Sequence, residues 1–187
     1  MPRFEDIPQF TRDSNYSVHV GWNQLESSLK TFASGTTLDM DPDFQRAHVW
    51  TEGQQSRFVE FVLRGGKSAQ DIYWNCPTWH CVGTHKSEQP VVLVDGKQRL
   101  EAARKFMRNE LKAFGSYFKD YSDSFRITSV RFVFNVNDLQ TRQEVLQWYL
   151  DFNAGGIAHT AHELGRVRKL LDAELENKNC GATLEVE

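Results

Sequence analysis

The chain has little cysteine, no excess of either charge and no long apolar run, and each shortage removes a class of answer. Three cysteines in 187 residues, Cys76, Cys81 and Cys180, do not suggest a disulfide framework and suit a reducing compartment. A net charge of −3 gives the whole molecule no bulk attraction to nucleic acid, so any contact with DNA or RNA needs a local basic face. No stretch approaches the roughly 20 consecutive apolar residues that span a bilayer, and no membrane partner is expected. The first residues, MPRFEDIPQFTRD, have neither the basic start nor the apolar centre of a signal peptide. The expectation is a chain that stays in the cytoplasm where it is made.

Familiar catalytic signatures are missing too. There is no P-loop, no discernible Ser-His-Asp arrangement, no helical His-x-x-x-His metal motif, and no HNH or PD-(D/E)xK nuclease pattern. Cys76, His80, Cys81 and His85 lie close together, but their spacing departs from that of zinc-binding pairs, so no metal site is expected. Internal repeats and low-complexity runs are absent.

What remains is an ordinary globular composition, 40% apolar and 25% charged, over a length that suits one domain, or one domain with an appendage, and can bury a core. Residues 1–15 are polar and contain proline, and read as a flexible arm. YSVHV at 16–20 alternates like a short strand, and Leu25, Leu29 and Phe32 recur at helical spacing. Pro42 keeps 38–50 extended. Thr51 and Gln54 form a capping box that opens a helix with Phe58, Phe61 and Val62 inward, closed by Gly65-Gly66. DIYWNCP (71–77) and PVVLVDG (90–96) read as strands, the second apolar on both faces. Leu100, Ala103, Met107 and Leu111 mark the stripe of the next helix. In 125–137, Val130, Phe132, Phe134 and Val136 face one way. Thr141 and Glu144 cap a helix with Val145, Trp148, Tyr149 and Phe152 inward. Thr160 and Glu163 cap another, with Leu164, Val167, Leu171 and Leu175 inward. The order predicts an α+β fold: an arm at 1–15, a core at 16–140, a C-terminal helical hairpin at 141–176 and a patternless tail at 177–187.

Three stretches contain residues suited to chemistry. The first is Asp95-Gly96-Lys97-Gln98-Arg99, where a buried strand meets a helix start. Backbone N–H groups and the helix dipole favour an anion there. Gly96 permits close approach of a ligand, Lys97 and Arg99 supply charge to a phosphate, Asp95 can hold a metal or orient a water, and Gln98 can position that water. The same residues also read as a plain capping box, Asp95 at the N-cap and Gln98 at N3. The second is Phe44-Gln45-Arg46-Ala47-His48-Val49-Trp50. Arg46 can reach a phosphate, or Phe44, Val49 and Trp50 can simply pin the segment to the core. The third is Asp151-Phe152-Asn153-Ala154-Gly155-Gly156, a loop around a ligand or an ordinary helix stop. Basic residues Arg104, Lys105 and Arg108, and Arg166, Arg168 and Lys169, are either a nucleic-acid face or a solvated surface.

PDFQRAHVW, a helix ending in RGG, VVLVDGKQRLEAARKF and YLDFNAGG follow one another in that order. Together they resemble the ParB-like domains with a DGQQR motif, in the ParB/sulfiredoxin superfamily, over roughly residues 16 to 175. Such domains form the N-terminal part of GmrSD-type restriction enzymes and occur alone in bacteriophages and prophages; the short format is most similar to the latter. The resemblance implies a ParB/sulfiredoxin-like core that binds, or weakly hydrolyses, a nucleoside triphosphate with Mg²⁺ and so controls DNA cleavage or association; the alternatives are a DNA-binding ParB-like nuclease and a non-catalytic interaction protein that binds a host defence component. It places Asp95, Gln98 and Arg99 in the catalytic set, and Gln45, Arg46, Gly96, Lys97, Asn153 and Gly156 around the nucleotide. It also implies a role in DNA metabolism or phage–host conflict in the host cytoplasm, with DNA or a host defence protein as further partner. Two departures bear on this. Lys97 replaces the motif's first glutamine, which suits phosphate binding better than hydrolysis. With 187 residues there is no room for a C-terminal HNH domain, so a complete restriction nuclease is not expected.

Overall fold

The computed structural model describes residues 14–34, 36–45, 49–79, 89–126, 129–154 and 161–181. Residues 1–13 of the expected arm, Arg46, the His80–Cys81–His85 stretch, Gly155, Gly156 and Thr160 lie outside the described residues. Within them the fold is α+β, with a mixed five-stranded sheet and five α-helices. The chain divides into two compact units. One is Ser14–Asp138, and the described part of the other begins at Leu139.

The strands of the first unit are β1 (Tyr16–Gly21), β2 (Leu38–Asp39), β3 (Asp71–Asn75), β4 (Val91–Asp95) and β5 (Arg131–Asn137). Their order is β1-β5-β3-β4-β2. β1 and β5 pair antiparallel, as do β3 and β4; β3 runs parallel to β5, and β2 parallel to β4. β2 pairs with the first residues of β4, Leu38 with Val91 and Asp39 with Val92. The chain leaving β2 therefore heads toward the end of β4 at Asp95, which is what later brings two sequence motifs together.

Alternation decides the core. Ile72, Trp74, Val91, Leu93, Phe132, Phe134 and Val136 come from one face of the sheet and are all buried. They join residues of α1 (Leu25–Phe32), α2 (Glu52–Leu63) and α3 (Lys97–Met107) in a single cluster. The residues expected inward from β5, with Val130 just before it, are at most 2% exposed.

Each long helix of this unit stops by the same device. After α2, Gly65 (φ +89°) donates to Val62 O at 2.9 Å and Gly66 to Phe61 O at 2.9 Å. After α3, Asn109 (φ +63°) donates to Phe106 O at 3.0 Å and Glu110 to Lys105 O at 2.8 Å. Both are complete Schellman closures, with glycine in one and asparagine in the other tolerating positive φ. The Thr51–Gln54 box forms as expected. Phe61 does not face inward, however. It is 43% exposed, and Val59, fully buried, fills that part of the core with Phe58 and Val62. In α3, Phe106 occupies the core more deeply than Met107, which is only partly buried.

In the second unit α4 (Arg142–Ala154) packs on α5 (Ala161–Gly181). Thr141 and Glu144 cap α4 reciprocally, Thr141 N donating to Glu144 Oε2 at 2.9 Å and Glu144 N to Thr141 Oγ1 at 3.2 Å. Val145, Trp148 and Tyr149 are buried as expected, together with Leu146, which the spacing did not single out. Leu175 was expected inward but is 39% exposed. The cause is length: α4 has 13 residues and α5 has 21, and Arg142 at the start of α4 already pairs with Glu174, Nε to Oε1 at 3.1 Å. Beyond that level α4 offers nothing to cover α5. The helix also runs through residues 177–181, read from sequence as tail, since no glycine or proline interrupts it between Arg166 and Cys180. Among the described residues no helix is long and apolar enough to cross a membrane.

Candidate functional site

The junction of β4 and α3 is built around Gly96. It is the N-cap residue of α3, with φ +104° and ψ 7° and no side-chain cap. A Cβ at this position would lie 2.5 Å from Ile72 Cδ1 and 3.3 Å from Ile72 Cα. The glycine is therefore required by the protein's own neighbouring strand, where the chain must turn from β4 into α3 in one residue. The capping box read from Asp95-x-x-Gln98 does not form. Asp95 is the last residue of β4, and Gln98, one position earlier in the helix than the box requires, sends its side chain elsewhere. The Gln98 Oε1 accepts from the backbone N–H of Val49 at 3.1 Å and of Trp50 at 3.0 Å.

That contact brings two distant motifs together. Gln98 holds the residues just before the Thr51 cap of α2. Gln45, 8% exposed, donates from Nε2 to Leu93 O of β4. Lys97 pairs with Asp41 and Arg99 with Asp95. Gln45 and the whole Asp95–Arg99 run thus share one end of β4, with Asp41 added to them. Arg46 lies outside the described residues. Phe44 is buried as expected, whereas Val49 is 54% exposed and contributes its N–H rather than its side chain. Asn153 belongs to the second unit, where it is buried and donates to Tyr149 O of its own helix at 2.7 Å; Gly156 is outside the described residues.

The electrostatics of this end of α3 are unusual. Its first turn holds no acidic residue but carries Lys97 and Arg99, whose charge opposes the positive end of the helix dipole. The carboxylates facing them are the more exposed partners: Asp41 is 76% exposed and Asp95 32%, against 18% for each cation. Such a start favours an incoming anion that can displace Asp41. Among the described residues no group of three His, Cys, Asp or Glu side chains could hold a metal ion.

Part of the expected basic face on α3 is occupied. Arg104 grips Glu26 of α1 through Nε at 2.8 Å and Nη2 at 3.3 Å, and Arg108 Nη2 meets the same carboxylate at 2.7 Å. The hydrogen bond from Arg104, with the charges of Arg104 and Arg108, holds the Glu26 carboxyl below its ordinary value of 4.5 against the opposing effect of burial. Neither Glu26 nor Asp41 was singled out from sequence. Asp41 stands in the DMDPD run, an available signal, but Glu26 is 78 residues from Arg104 and leaves none. A carboxyl depressed in the folded state stabilises it above the unfolded pKa, and that contribution disappears as pH falls through the folded pKa. The gap in urea midpoint between the native chain and Glu26→Gln should accordingly be present at pH 7 and close progressively below about 4.5. A gap unchanged down to pH 3 would show that the charge of Glu26 contributes nothing.

Comparison of the chain with protein-family models, curated proteins and solved structures finds no match.

Proposed function

We propose that this chain binds the phosphates of a nucleoside triphosphate at the start of α3, on a core of ParB/sulfiredoxin type. The observation that supports this is the first turn of α3, which has no capping side chain and no acid but has two cations, Lys97 and Arg99. Gln45, from the motif that precedes α2 in the chain, and Asp41, just before that motif, adjoin it. A polyphosphate would take the place of the exposed Asp41 carboxylate on Lys97 and draw on the first-turn N–H groups. Mg²⁺ would arrive with the nucleotide rather than be held by a protein cage.

The proposal is binding rather than turnover. The Gln98 oxygen that would position a water already accepts two backbone amides, and Asp95 is paired with Arg99. The resemblance to DGQQR-type domains extends the proposal to phage or prophage DNA metabolism or conflict with the host, through control of a DNA or protein partner. Calorimetry with ATP, GTP and CTP at low salt, with and without Mg²⁺, should give heat for at least one of them. Lys97→Ala and Arg99→Ala should each weaken that binding about tenfold, as loss of a charge-assisted contact would. Silence from all three nucleotides at millimolar concentration, or unchanged affinity in both variants, overturns the reading.

A further inference from the structure

The outer face of α2 ends in an open groove of about 670 Å³ lined by Arg57, Glu60, Phe61, Arg64, Gly65 and Gly66. Arg57, Phe61 and Arg64 stand at i, i+4 and i+7, a single stripe about 10 Å long. The tip of the Phe61 ring lies over Gly66, where a Cβ would come within 2.4 Å of it. That contact is the usual apolar companion of a Schellman closure, yet it leaves 43% of Phe61 exposed. Among the described residues neither arginine has a carboxylate partner. Glu60 is held by the N–H of Phe114 at 2.8 Å. Phe114 itself is 54% exposed and sits at φ +50°, in a turn closed between Ala113 and Ser116. A bulky residue rarely adopts that conformation, and strain of this kind gathers at functional surfaces. Exposed aromatic rings beside unpaired arginines are the composition of interface centres.

The chain itself carries the complement. Around and beyond the level of Arg142, where α4 begins, α5 presents Asp172, Leu175 and Glu176 at i, i+3 and i+4. All three are exposed, and among the described residues neither acid has a partner. We propose that the α2 groove of one copy receives this part of α5 from a second copy. Arg57 and Arg64 meet Asp172 and Glu176, and Phe61 packs on Leu175. In the proposed dimer a two-fold axis makes this contact twice, groove to helix and helix to groove, so the interface is isologous and closed.

Light scattering after gel filtration reads this directly. The native chain loaded at roughly 100 µM in low salt should show a mass near twice that of the monomer, a concentration range in which small interfaces populate. The mass should fall toward the monomer as salt rises, since exposed ion pairs are screened within about 10 Å at 0.1 M. The pair Arg57→Glu/Arg64→Glu should be monomeric, and so should Asp172→Arg/Glu176→Arg. An equal mixture of the two should recover the dimer, because each then offers the other an opposite charge. Phe61→Ala provides a charge-neutral variant that should also dissociate, and circular dichroism checks that every variant is folded. A monomeric native chain at that concentration overturns the proposal. So does self-association that survives the groove reversal, or folded variants that fail to recombine on mixing.

Discussion

Gly96→Ala should destabilise the Ser14–Asp138 unit by about 3 kcal/mol, read as a fall in urea midpoint at unchanged slope. Two effects add. A φ of +104° is strained for any residue with a Cβ, which contributes about 1 kcal/mol. The new methyl would also sit 2.5 Å from Ile72 Cδ1 and 3.3 Å from Ile72 Cα. The first atom can swing aside, but the second belongs to the backbone of the central strand and cannot, and overpacking of this kind contributes roughly 1–3 kcal/mol. The two effects separate in a double-mutant cycle with Ile72→Val, which removes Cδ1. The combined variant should be more stable than the sum of the single losses predicts, because the clash is partly relieved while the strained φ remains. A loss below about 1 kcal/mol for Gly96→Ala alone would mean that the junction relaxes freely, and the glycine would then be better explained by a ligand than by Ile72.

Gly96 also shows how far the sequence could be read. The apolar run 90–94, the acid and glycine, and the following helical stripe located the strand–helix junction correctly, because periodicity and turn residues are local signals. What the glycine approaches is not local. Ile72 comes from a strand twenty-four positions earlier, and only the sheet order, with β3 beside β4, makes it the neighbour. The same holds for Phe61 and Leu175. Helical spacing set both on an inward stripe, but the first is displaced by Val59 and by the closure at Gly66, and the second by the shortness of α4. Local pattern identifies which residues are apolar; the lengths and positions of neighbouring elements decide which of them are covered.

Gln98 was read as a capping residue or as a positioner of water, and the structure gives its side chain a third task. Gln98→Ala should lower stability by about 2 kcal/mol. The two N–H groups that its Oε1 receives, from Val49 and Trp50, lose their acceptor in a part-buried setting, and each orphaned donor is worth roughly 1–3 kcal/mol less what water recovers. Gln98→Leu distinguishes hydrogen bonding from packing, since leucine restores most of the volume and none of the acceptor. If the two bonds matter, leucine should be about as destabilising as alanine; a leucine variant as stable as the native chain would sink the idea. Local protection should follow the same logic, because Gln98 fixes the entry to α2. Amide exchange in the first turn of α2 should accelerate in both variants, while the Schellman closure at Gly65 and Gly66, at the other end of the helix, should keep its protection. A loss of nucleotide affinity in these variants would then be an indirect effect, transmitted through the segment that carries Gln45, and it should appear together with the faster exchange. Loss of affinity in Lys97→Ala, whose side chain points instead to the exposed Asp41, should appear without it.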